Sequence, residues 1–93
     1  MAKRPTHYRV DVLEPDGSIS EATISRANEL KEMQALVHGY IELVTVEYAG
    51  ECRDAYVNED GTHLGLRYNP RASTIYGAPI VGVMIVCMTG SPA

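Results

Sequence analysis

Three histidines (His7, His38 and His63) and two cysteines (Cys52 and Cys87) are the side chains with which this sequence could hold a metal or build a nucleophile. A zinc site takes about four ligands in a tight tetrahedron, and structural sites carry paired ligands a few residues apart. No two of these residues stand at such spacing, so a metal site would have to be assembled entirely by folding. Nucleophilic catalysis needs a nucleophile, a base within hydrogen-bond reach and an orienting group. Cys52 with His38 or His63 and Asp54 or Asp60 supplies the residue types, but neither cysteine sits in a nucleophile motif. Glu59 and Asp60 are neighbours that diverge in most turns and read as solvated acids, not as the facing carboxylates of glycoside hydrolysis. Gly61-Thr62-His63-Leu64-Gly65 contains neither GxxxxGK[ST] nor GxGxxG, so its glycines read as turn residues. The chain is therefore expected to be non-enzymatic, with no cofactor and no metal.

Tyrosine is the only aromatic residue, at positions 8, 40, 48, 56, 68 and 76. A tyrosine joins an apolar ring to a hydroxyl that needs a partner, which suits half-buried positions and binding surfaces alike. Tyr40, Tyr48, Tyr56, Tyr68 and Tyr76 are accordingly either the rim of a small core or an interaction surface. Eight basic residues against twelve acidic ones leave a net charge of -4. That balance argues against nucleic acid, whose binding rests on neutralised phosphates; Lys3, Arg4, His7 and Arg9 form the one basic cluster to set against it.

The elements that would position these residues follow from the patterning. Ninety-three residues allow one domain, with residues 1–7 expected as a flexible arm, 8–88 as the domain and 89–93 as a fraying tail. The basic start lacks the apolar stretch of a signal peptide, and the longest apolar run, Ile80 to Met88, is too short to span a bilayer. A cytoplasmic protein with no membrane association is the expectation. Tyr8, Val10 and Val12 alternate with polar residues as in a half-buried strand, and Glu14-Pro15-Asp16-Gly17 is a turn leading into a second strand over Ser18 to Ile24. Leu30, Met33, Leu36 and Val37 form one apolar helical stripe, with Ser25 or Asn28 as N-cap and Gly39 as the left-handed residue at its end.

Tyr40 to Tyr48 reads as a central or two-sided strand in which Glu42 is either exposed or specifically partnered. A short strand over Ala55 to Val57 leads to the turn Asn58-Glu59-Asp60-Gly61, with positive φ expected at Gly61, and Leu64 and Leu66 resume strand-like alternation. Asn69 and Pro70 open a short helix to about Tyr76, stopped by Gly77 and Pro79. Ile80 to Met88 is apolar on both faces and reads as an inner strand that contains Cys87, with Gly82 either admitting close packing or marking a bulge. The result is an α+β fold: a small mixed or mainly antiparallel sheet of three to five strands, one principal helix and one short helix. Its second face would be covered by the short helix or by a partner subunit.

The stretch Met33-Gln34-Ala35-Leu36-Val37-His38-Gly39-Tyr40-Ile41-Glu42, followed by Val57 to Gly61 and by Gly65 to Ala72, resembles a small family of uncharacterised domains found in phages, especially of actinobacteria, and in mobile elements. The closing Ile80 to Val86 is similar to that family's last strand. The chain departs from the pattern at Met33, His38 and Arg67, where the family has leucine, glycine and proline. The resemblance implies an accessory protein made inside a bacterial host, acting by binding a host protein; the acidic balance, the tyrosines and the missing catalytic motifs add a homodimer to that expectation. The resemblance also singles out Gln34, Glu42, Asn58, Glu59 and Asn69 as polar motif residues, either structural or lining a small pocket. With Arg67 and Arg71 as phosphate contacts, such a pocket would take a small polar or nucleotide-like ligand.

Overall fold

The computed structural model describes residues 6–88, so the expectations for the N-terminal arm and the C-terminal tail lie largely outside the described residues. Strand β1 (His7–Leu13) pairs along its whole length with β2 (Ile19–Ser25). The turn between them is closed by the Ser18 amide donating to Asp16 Oδ1 at 2.9 Å and by Gly17 at φ 92°.

One 3-10 turn (Arg26–Asn28) leads into helix α1 (Glu29–Val37). Contrary to expectation, neither Ser25 nor Asn28 caps it with a side chain. The inserted turn displaces Ser25 from the helix, while Asn28 directly precedes it at φ -128° and ψ 25°, outside the extended conformation of a capping residue, and two glutamates of the helix anchor it instead. Glu32 accepts from the Ser25 amide at 2.9 Å and Glu29 accepts from the Tyr8 hydroxyl at 2.8 Å. At the other end the left-handed residue is His38, at φ 66°, and not Gly39. Gly39 answers a different demand, because a Cβ there would lie 2.6 Å from Asn58 Nδ2.

Strand β3 (Ile41–Tyr48) and strand β4 (Glu51–Asn58) form a second hairpin, with eight unbroken pairs from Ile41↔Asn58 to Tyr48↔Glu51. Ala49 and Gly50 both have positive φ, as a two-residue turn matched to the twist of the strands requires. The short strand expected at Ala55 to Val57 is thus the interior of a longer one.

The strand expected at Leu64 and Leu66 is absent. Residues 59–65 make successive turns, with the Leu64 amide donating to the Asp60 carbonyl and the Leu66 amide, just past them, to the Gly61 carbonyl. Two alternating leucines between glycines carry too little to hold a strand, and the turns take up the amides of both; pairing with the last segment begins only at Tyr68, which bridges Val81. Gly61 does not have positive φ; it is buried where a Cβ would meet Val81 at 2.8 Å.

Helix α2 (Pro70–Tyr76) starts as the sequence indicates, with Pro70 in the first turn and Asn69 Oδ1 accepting from the Ala72 amide at 3.0 Å. It ends at Gly77, at φ 87°. Strand β5 (Met84–Cys87) is buried throughout.

The sheet order is β2-β1-β5-β4-β3, and all neighbours are antiparallel. Strand β3 is therefore an edge, buried at Val44 and Val46 on one face and exposed at Leu43, Thr45 and Glu47 on the other, and not the central or two-sided strand expected. Helix α1 covers one face, where Met33 and Val37 meet Val10, Val12, Ile24 and Ile85. Helix α2 covers the other, where Ala72 packs among Leu13, Val57, Met84 and Val86. The second face is closed by the short helix, and the apolar Ile80 to Met88 segment needs no partner subunit to bury it. The fold is α+β, as its patterning indicates.

The buried Asn69 side chain joins three parts of the chain. Its Nδ2 donates to the Leu13 carbonyl at 3.0 Å and to the Gly82 carbonyl at 2.8 Å, while its Oδ1 caps α2. Asn69→Ala removes the cap and leaves two interior carbonyls without their donor, at a cost of about 3 kcal/mol. Asn69→Asp keeps the cap oxygen but turns a carboxylate oxygen toward those carbonyls, so urea denaturation at neutral pH should find it no more stable than the alanine variant. His38→Gly should act in the opposite sense. Relief of the left-handed side chain exceeds the added chain entropy, and the urea midpoint should rise by the equivalent of about 0.5 kcal/mol.

Candidate functional site

The expected site residues separate into three groups in the folded chain. Asn58 and Asn69 are interior framework. Asn58 Nδ2 donates to the Val37 and His38 carbonyls at 3.1 and 3.2 Å, closing the end of α1, and its Oδ1 accepts from the Asp60 amide at 2.7 Å, closing the turn. Both N–H donors of each amide are engaged and each oxygen already accepts one bond, so neither amide has a donor left to offer a ligand. Gln34 is half-buried on α1, where its backbone carbonyl receives the amides that end the helix.

Glu42, Asn58 and Glu59 do come together. With Val57, Gly61, Thr62 and Pro79 to Val81 they line a cleft of about 110 Å³ beside the start of β3. Glu42 sits opposite Val57 in the hairpin, and the Glu59 amide donates to the Tyr40 carbonyl at 2.8 Å, carrying the ladder one step further. Both glutamates are exposed. A cleft of this size has room for roughly three or four waters or the polar end of one long side chain. Its two carboxylates favour a cation and oppose a phosphate.

Arg67 and Arg71 are exposed and line no part of this cleft. Arg71 instead borders an open groove of about 400 Å³ with Gly17, Pro70, Thr74 and Ile75. The predicted association of amides and arginines around one ligand is thus not what the fold makes.

The tyrosines divide as well. Tyr48 and Tyr56 are half-buried, Tyr48 donating to Asp11 Oδ2 at 2.8 Å and Tyr56 packing against the α1 core. Tyr40, Tyr68 and Tyr76 are exposed, Tyr40 the most at 67%. Leu43, 55% exposed on the edge strand, joins them. Patterning on Tyr40 to Tyr48 gave no warning of Leu43's exposure, because a residue on an inner strand of the same composition would be covered.

The two thiols differ in their surroundings. Cys52 is exposed and free, at the start of β4, while Asn58, Asp60 and His63 lie at or beyond that strand's other end. Six residues of extended strand put Cys52 roughly 20 Å from the Asn58 turn. No group of three His, Cys, Asp or Glu side chains among the described residues is placed to hold a metal ion.

Cys87 is free and buried; desolvation, with the charges of Asp54 and Glu29 adding to it, pushes its thiol up to about 12. Burial also raises Tyr8, Tyr48 and Tyr56 above the ordinary phenol range, helped at Tyr8 by its bond to Glu29 and at Tyr48 by its bond to Asp11. These groups are held protonated by the fold. Their contribution to stability is fully present below their unfolded values, 9.0 for the thiol and 10.0 for the phenols, and is lost as pH rises through the higher folded ones. Unfolding free energy measured against pH should therefore decline above about pH 9. At pH 8 a disulfide reagent should titrate one thiol, Cys52, in the native chain and two in urea.

No curated protein and no solved structure matches the chain. A family model described as a domain of unknown function, DUF3846, matches residues 8–92, nearly the whole sequence, and the chain belongs to that family.

Proposed function

We infer that the chain is a non-enzymatic accessory protein of a phage or mobile element that works inside a bacterial cell by binding a host protein. The observation that carries this reading is the division of the polar motif residues. Asn58 and Asn69, the amides best suited to read a small ligand, are consumed by the framework, while Tyr40, Leu43, Leu64 and Tyr68 stand exposed. Large exposed apolar and aromatic side chains are the material of protein interfaces. The lack of a catalytic motif in the sequence and of a metal-ligand cluster among the described residues agrees with a binding role. Among the described residues no helix is long and apolar enough to cross a membrane.

Sequestration of a small polar or nucleotide-like ligand is the second reading, and the cleft at Glu42 and Glu59 is the observation in its favour. Its carboxylates restrict the ligand to a neutral or cationic one. Nucleic acid is less favoured still, since Arg9 of the basic cluster faces Glu21 at 4.0 Å and Lys3 and Arg4 lie outside the described residues. Homodimer formation belongs to the first reading as an accompaniment to partner binding.

Tagged chain immobilised in host lysate should retain one or a few proteins reproducibly, and a Tyr40→Ala, Leu43→Lys double variant should retain them at least fivefold less. Retention of no protein beyond that of an unrelated acidic domain, with a small molecule released from the native chain in the mass spectrometer, would replace the first reading by the second.

A further inference from the structure

Strand β3 ends the sheet, and among the described residues nothing pairs with its outer side. An open edge of eight residues presents a row of unpaired amides and carbonyls, which proteins usually blunt with lysine, proline or a bulge. Here Ile41 to Tyr48 contains no lysine and no proline, and its register with β4 is unbroken from end to end. The opposite edge, β2, is likewise free of lysine and proline but shows solvent mainly Ser20, Glu21 and Thr23, with Ile19 43% exposed at its start, whereas β3 shows Leu43, 55% exposed and inside the strand, with Thr45 and Glu47 on the same face. Unpaired backbone beside an exposed leucine is the arrangement to which an extended chain adds as a further strand.

Charge selects among possible strands. Glu42 and Glu47 lie on opposite faces of β3, so both rows of an added strand would meet a carboxylate. Glu42 also borders the 110 Å³ cleft, with Glu59 beside it. An added residue opposite Glu42 would have its Cβ about 5 Å away on the same sheet face, within reach of that cleft for a long side chain. The described part of β3 carries no basic residue, and a second copy would bring only the same acids and a net charge of -4.

We propose that the outer edge of β3 is the docking site for an extended segment of another protein bearing Lys or Arg, which adds as a sixth strand and places one basic side chain in the cleft between Glu42 and Glu59. The proposal rests on the protein-binding reading and names the class of partner. Main-chain hydrogen bonds to β3 supply strength without regard to sequence, Leu43 supplies an apolar contact, and the cleft supplies selectivity for a cation. Attraction between exposed charges of this kind weakens with salt over a Debye length of about 8 Å at physiological ionic strength.

The test is an array of immobilised random eight-residue peptides probed with the full chain, followed by solution affinities for the strongest binders. Enrichment of Lys and Arg in the bound set is expected, with affinity at least tenfold lower for Glu42→Lys and for Glu59→Lys, and for peptides N-methylated at alternate amides. Both substitutions fall on exposed side chains, and circular dichroism verifies that the fold is retained. A bound set without basic enrichment, no bound peptides, or binding indifferent to charge reversal and to N-methylation would overturn the proposal. So would a dimer of the free chain dispersed by Thr45→Lys in sedimentation, since a second copy would then hold the edge. A host protein retained from lysate equally well by Glu42→Lys and wild type would defeat this docking site and leave the protein-binding reading standing.

Discussion

Insertion of β5 between two hairpins is the event on which the rest of the structure depends. Each hairpin is local, closed by its own turn, but β1 and β4 become parts of one sheet only through β5, which pairs with β1 from Val10↔Cys87 to Leu13↔Met84 and with β4 from Ala55↔Val86 to Val57↔Met84. Four residues carry the ladder to β1, and three of them carry the ladder to β4 as well. Because the strand alternates, Ile85 and Cys87 enter the core under α1 while Met84 and Val86 enter the core under α2. Both helices thus pack on a surface that exists only once the last strand is in place. Pairings of this sequence separation close late and slowly in folding.

The polar framework follows from the same constraint. Bringing β5 to the middle forces the connection from β4 to cross one end of the sheet, where its backbone groups leave the ladder and need other partners. Asn58 meets this need where α1 ends and the turn begins, and Asn69 meets it where β1 ends and α2 begins. Ser73 adds a third link, its hydroxyl accepting from the Ile80 amide at 2.7 Å. No buried side-chain nitrogen or oxygen among the described residues lacks a partner. The asparagines are drawn into the interior by the demands of the connection, and what the molecule offers to solvent is an acidic cleft and an open strand edge. Binding capacity on this fold resides where the framework leaves groups unspent.

Much of the architecture could be read locally. The first hairpin, the apolar stripe of α1, the Asn69-Pro70 start of α2 and its Gly77 stop, and the burial of Ile80 to Cys87 all depend on short-range chemistry: alternation, capping and turn residues whose effect is complete within a few positions. The errors have a physical pattern too. Leu64 and Leu66 alternate, but the turns that follow Asn58 take up the amides of both, and alternation without a ladder does not make a strand. His38 takes the left-handed position ahead of Gly39 because Gly39 is needed where the Asn58 amide leaves no room for a Cβ.

The site shows the same division. Sequence alone determined that the chain is an acidic α+β domain without catalytic or nucleotide-binding motifs, and it placed Glu42, Asn58 and Glu59 within one motif region. Tertiary structure decided that Asn58 and Asn69 spend their amides on carbonyls, that Arg67 and Arg71 stand apart from the cleft, and that β3 is an edge. Strand order is not written in any one strand: Ile41 to Tyr48 has the composition of a central strand and lies at the margin because β5 takes the middle. Residue types set which contacts a side chain is able to make, whereas the long-range pairing of the sheet sets which of those contacts are already taken.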